Sequence, residues 1–99
     1  MTERAAAPHE EVQGKARGLL IELASQLPSV TVGLVEEMID ANECGVALEI
    51  MSEMLVESRA VVSPDQLAMV SELVRIMRLD SINVERLRPL VANLDNETS

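Results

Sequence analysis

Apolar residues make up 47% of this chain, yet it contains no Phe, Trp or Tyr. Any core must therefore be assembled from Leu, Val, Ile, Ala and the six Met. Aliphatic and thioether side chains suit helix packing, whereas strands draw heavily on aromatic residues. An all-α fold follows. With 99 residues the chain is long enough for one core and too short for a second site-bearing layer, so residues 1–99 read as a single domain.

Apolar spacing places the helices. From Pro8, which suits a first helical turn, Val12, Ala16, Leu19, Leu20, Leu23 and Leu27 recur at helical intervals. Gly14 and Gly18, four apart, leave a smooth strip that predicts close packing of a neighbouring helix. Pro28 and Ser29 end this helix and cap the next, about Val30 to Ala41, which packs through Val32, Leu34, Val35, Met38 and Ile39. Asn42 and Gly45 mark a corner. The third helix, to about Glu57, carries the widest apolar arc, with Leu48, Met51 and Leu55 at its centre and Cys44, Ala47, Ile50 and Met54 at its sides. Ser63-Pro64-Asp65-Gln66 has the pattern of a capping box, opening a helix over Pro64–Met77 that buries Leu67, Val70, Leu73, Val74 and Met77. A short terminal helix runs through Val84 and Leu87, and Pro89 kinks or ends it. The expectation is a small bundle of four main helices plus a short C-terminal one, with loose tails at residues 1–7 and 95–99.

The charge is uneven. Between Gly18 and Ser58 stand eight acids and no Lys or Arg, in a chain of net charge -9. Glu36, Asp40 and Glu43 follow at i, i+4 and i+7 and stack along one side if the path of the second helix holds that far, and Glu49, Glu53 and Glu57 form a ridge on the third. Like charges four apart destabilise a helix by roughly 0.2–0.5 kcal/mol per pair, and no cation within the third helix relieves them. Two readings are open: a face that only keeps the chain solvated, or a docking surface that speeds capture of a basic partner and then bonds to its Lys and Arg. Nucleic acid is disfavoured as a partner, since each phosphate contact needs a cation and the eight present are spread over both ends of the chain.

Nothing assembles into a reactive centre. His9 is the only histidine and Cys44 the only cysteine, so no disulfide, metal pair or triad can be built around them. Cys44 falls on the core side, between Glu43 and Gly45, without an adjacent cation to activate it. Bundle carboxylate sites use Glu-x-x-His spacing, which this chain lacks, and it has no glycine-rich phosphate loop. The chain reads as a non-enzyme without cofactor or metal. Its start lacks the apolar run of a signal peptide and its apolar runs are far too short for a membrane span, so a cytoplasmic protein with no membrane partner is expected.

The run LVEEMIDANECGVALEIMSEML, Leu34 to Leu55, resembles the signature of MafI-type immunity proteins, antidotes to polymorphic and contact-dependent growth inhibition toxins of bacteria. The shared features are an Ile-Asp-x-x-Glu-x-Gly corner followed by Ala-Leu-Glu, here Ile39, Asp40, Glu43, Gly45, Ala47, Leu48 and Glu49. VERLRPLV, Val84 to Val91, is similar to that family's closing segment. The chain departs from the pattern in lacking aromatics, notably at Cys44 and Val84.

The resemblance implies a toxin inhibitor that binds the C-terminal domain of one cognate toxin 1:1 and blocks substrate access. A nuclease toxin would be basic near its site, and an acidic inhibitor competes for that surface. Glu36, Asp40, Glu43, Glu49, Glu53 and Glu57 are the expected contacts. The alternative is an adaptor or regulatory bundle, antitoxin-like or sigma-sequestering, with no toxin partner.

Overall fold

The computed structural model describes residues 9–91. The expected loose tails, 1–7 and 95–99, lie outside them. Five α-helices follow in order: α1 His9–Leu23, α2 Ser29–Asp40, α3 Cys44–Ser58, α4 Pro64–Met77 and α5 Ile82–Leu87. The fold is all-α, as the aliphatic composition requires.

Local chemistry sets the boundaries. α1 tightens into a 3-10 turn at Ala24–Gln26 before Pro28, whose missing N–H cannot continue the ladder. Pro28 itself occupies the N-cap of α2, its carbonyl accepting from Thr31 and Val32 N–H, and Ser29 is the first helical residue without a capping bond. The sequence expectation of a Ser29 cap is corrected accordingly. Asn42 turns the α2–α3 corner at φ 66°, a left-handed conformation that Asn tolerates better than most residues. Gly45 has no such angle and lies inside α3. At α4 the capping box is present: Ser63 Oγ accepts from Gln66 N–H at 3.0 Å, and Gln66 Oε1 accepts from Ser63 N–H at 3.0 Å. Pro89 ends α5, which passes into a 3-10 turn at Arg88–Leu90.

The core is built from Leu, Val, Ile, Ala, Met and Cys, with Thr31, Ser52 and Asn83 as the buried polar residues among those described. α1 packs against α2, α3 and α4, and α5 closes the far side against α3 and α4. Val12, Ala16, Leu19, Leu20 and Leu23 of α1 meet Val35 and Ile39 of α2, Leu48, Met51 and Leu55 of α3, and Val70 and Leu73 of α4. α3 buries Cys44, Ala47, Leu48, Met51, Ser52 and Leu55, and the Ser52 hydroxyl donates to Leu48 C=O at 2.8 Å, so it adds no unpaired group to the core.

Two expectations for packing fail. Leu34, placed in the core by spacing, is 43% exposed. The buried line of α2 is Thr31, Val35 and Ile39, each four residues on, and at about 100° per residue Leu34 falls on its flank. The glycine strip does not bring a helix close either. A Cβ at Gly14 would meet nothing within 4 Å, and one at Gly18 only the Met69 methyl at 4.0 Å.

Two links outside the helices lock the frame. Gln26 bonds both backbone groups of Val61, donating to its C=O at 2.6 Å and accepting from its N–H at 3.0 Å. Next to it Val62, fully buried, pairs with Val91 in an isolated parallel bridge, its N–H donating to Leu90 C=O at 3.1 Å. The α3–α4 connection is thereby fastened to the end of α1 on one side and to the turn after α5 on the other.

Candidate functional site

The six carboxylates singled out by spacing are all solvent-exposed. Glu49, Glu53 and Glu57 lie along the line of α3 opposite its buried residues Leu48, Met51 and Leu55, so the ridge faces away from the core. Val46, 43% exposed, shares that line one turn earlier. On α2 the arrangement differs. Glu37 faces most directly outward, while Glu36 and Asp40 occupy the flank toward α1.

That flank is partly neutralised. Arg17 of α1 meets Asp40 with Nη2 to Oδ1 at 2.5 Å, and Gln13 of α1 donates to Ile39 C=O at 2.7 Å beside it. Glu36, Glu43, Glu49, Glu53 and Glu57 have no ion-pair partner among the described residues. The expected stacking of Glu43 on Glu36 and Asp40 fails: α2 ends at Asp40, Asn42 turns the chain, and Glu43 stands at the N-cap of α3, at the corner between the two lines of carboxylates.

Beside that corner lies a groove of about 660 Å³. One wall is the start of α3, through Cys44, Gly45, Val46 and Glu49; the other is the α4–α5 junction, through Leu79, Asp80, Ile82 and Asn83. His9 and Val12 of α1 close one end, and His9 Nδ1 stands 3.2 Å from Asn42 Nδ2. Gly45 faces the opposite wall, since a Cβ there would sit 3.9 Å from both Leu79 methyls.

No family model, curated protein or solved structure matches this chain. The functional reading therefore rests on the residues themselves and on the resemblance of the corner segment.

The groove margin carries no activated thiol. Cys44 is buried at its margin, and burial pushes its thiol pKa up while the Arg17 guanidinium pulls partly the other way. The thiol is therefore protonated at neutral pH, the wrong form for a nucleophile. Along the chain Cys44 has no cationic neighbour; Arg17 arrives through the fold, and its effect is smaller than that of burial. No group of three His, Cys, Asp or Glu side chains gathers among the described residues as metal ligands would, and no described helix is long and apolar enough to cross a membrane.

Of the six candidates, Glu43 and Glu49 line the groove, whereas Glu36, Asp40, Glu53 and Glu57 do not. Sequence reasoning missed the opposite wall. Its signal is the pair Leu79 and Ile82 flanking the polar Asp80-Ser81 turn, two large apolar residues where a helix connection ordinarily turns polar.

Proposed function

We propose that this protein is a toxin-neutralising immunity protein that binds the C-terminal domain of one cognate bacterial toxin 1:1 in the cytosol and blocks its access to substrate. The observation that carries the reading is the set of five exposed carboxylates without a counter-ion among the described residues, Glu36, Glu43, Glu49, Glu53 and Glu57, on and around the segment that resembles MafI-type proteins. A helix that holds Glu49, Glu53 and Glu57 four apart pays for self-repulsion, which a basic partner would remove. The helices fix the spacing of these carboxylates, and their shared charge acts on the rate of association with Lys and Arg more than on affinity. A nuclease toxin suits this surface, because the cations that draw phosphate to its site are what the carboxylates would cover.

The test is co-purification and titration calorimetry with the toxin C-terminal domain encoded immediately upstream, at low and high salt. Tight 1:1 binding that weakens with salt supports neutralisation through the acidic faces. Absence of binding overturns the reading and leaves the adaptor or regulatory bundle, whose partner would be a protein of the same cell.

A further inference from the structure

Three of the seven large apolar side chains exposed among the described residues, Val46, Leu79 and Ile82, line the groove beside the α2–α3 corner. Ile82 is the most open of them, at 57%. Isolated apolar residues on a surface need no explanation, but a group converging from two walls marks an interaction site.

A second feature of the groove is polar. Asn83, only 6% exposed, lines it, and its Oδ1 is covered and has no hydrogen-bond partner among the described residues. Buried amides without partners are rare because water has been removed and nothing replaces it. Asn83 therefore brings an amide with an unsatisfied oxygen to the groove lining, where a peptide group of a bound segment can complete it.

The rim selects the occupant by charge. Glu43 and Glu49 on one wall and Asp80 on the other stand against a single guanidinium, Arg78, and none of the three carboxylates is ion-paired among the described residues. A second copy of this chain would bring the same three carboxylates back against them, so self-association through the groove is repelled. We infer that the groove receives an extended segment of the partner in which an aliphatic side chain lies between Lys or Arg residues. The aliphatic group packs between Val46, Leu79 and Ile82, the cations meet the carboxylates on both walls, and a backbone amide of the segment satisfies Asn83. This inference rests on the proposed function for the identity of the partner, and it moves the specificity-determining contact from the α3 ridge to the groove.

Two probes test it. The first is a blocked Lys-Leu-Lys-Leu-Lys peptide titrated into the isotopically labelled chain and followed by amide chemical shifts, with Glu-Leu-Glu-Leu-Glu and Lys-Gly-Lys-Gly-Lys as comparisons. The expected result is movement of Val46, Leu79, Ile82 and the Asn83 side-chain amide with the first peptide and not with the other two. Equal movement with Lys-Gly-Lys-Gly-Lys, or none at the groove, overturns the inference. The second probe is the upstream toxin domain, with Ile82→Lys set against Ile21→Lys, which adds the same charge at an exposed apolar site on α1 outside the groove. Ile82→Lys should weaken binding about tenfold or more and Ile21→Lys no more than about twofold. Val46→Lys, on the opposite wall, gives the same comparison should Ile82→Lys lose its helical spectrum. Toxin binding unchanged by both groove variants overturns the groove and leaves the immunity reading standing. Peptide capture at the groove with no binding of the toxin domain supports the groove and overturns that reading.

Discussion

Arg17 of α1 and Asp40 of α2, 23 positions apart in the chain, form an ion pair at 2.5 Å on the flank of the acidic segment. The stretch from Gly18 to Ser58 has no cation of its own, so this contact is the fold supplying one from outside. Both side chains are well exposed, which limits the pair's contribution to stability. Arg17→Gln should lower stability by less than about 1 kcal/mol in urea unfolding, with the loss shrinking as salt is added. By freeing Asp40 it should also quicken association with a basic partner at low salt, read by stopped-flow.

The α3 ridge predicts a gain and a loss from one substitution pair. Glu49→Lys with Glu53→Lys keeps a like-charged pair at positions 49 and 53 but replaces the repulsion between position 53 and Glu57 by attraction. Stability in denaturant unfolding should therefore hold or rise by up to about 1 kcal/mol, the lost repulsion and the gained attraction each contributing. The circular dichroism spectrum should be unchanged. Affinity for the proposed toxin partner, and its salt dependence, should both fall in calorimetry; an unaltered affinity would remove from the interface both the ridge and Glu49 of the groove wall.

Leu34 and Leu55 look equivalent in the sequence and are not in the fold, since Leu34 is 43% exposed and Leu55 fully buried. Leu55→Ala should cost about 2–5 kcal/mol, a large part of the stability of a domain this size. Leu34→Ala should cost under about 1 kcal/mol. Denaturant midpoints of the two variants, measured together, check the difference.

The Ser63 cap is a separable contribution. Ser63→Ala removes the oxygen that accepts from Gln66 N–H and should destabilise the protein by about 1 kcal/mol. Ser63 lies beyond the end of the α3 ridge and does not line the groove, so partner affinity measured below the unfolding transition should not change.

The raised thiol pKa of Cys44 gives a pH dependence with a definite sign. The folded chain keeps this proton at a pH where an unfolded thiol, with its ordinary value of about 8.5, has already lost it. Stability is therefore fully retained below that value and falls as pH rises past it, until the folded thiol also ionises. Cys44→Ala should be less stable at neutral pH but show a flatter decline on the alkaline side. The same burial makes the native thiol slow toward disulfide reagents, and Arg17→Gln should slow it further by removing the charge that favours the thiolate.

Helix order, the α4 boundaries and most of the core were legible because they depend on local rules: apolar periodicity, Pro at a first turn and a reciprocal cap at Ser63 and Gln66. What was not legible depends on contacts between distant segments. Leu34 fits the apolar pattern, and only the direction in which α2 settles on α1 and α3 turns it outward. Asp40 belongs to an unrelieved acidic run until α1 is laid beside it. Val62 sits in a short connection, and nothing local says that the turn after α5 returns to pair with it. The candidate site is half legible: the acidic spacing points to Glu43 and Glu49, but the wall of Leu79, Ile82 and Asn83 faces them only after the α4–α5 junction folds back.

The bridge between Val62 and Val91 makes the intervening segment a closed loop whose two ends are clasped together, with the α4–α5 junction as its tip. Leu79, Asp80 and Ile82 stand on that tip, away from the clasp and from the Ser63 cap. Of the two apolar residues Ile82 is the more exposed, whereas Asp80 also accepts from Ile82 N–H at the start of α5, so a change at Ile82 alters the groove wall without touching the residues that close the loop. The contact surface and the closure of the loop thus depend on different residues of one segment.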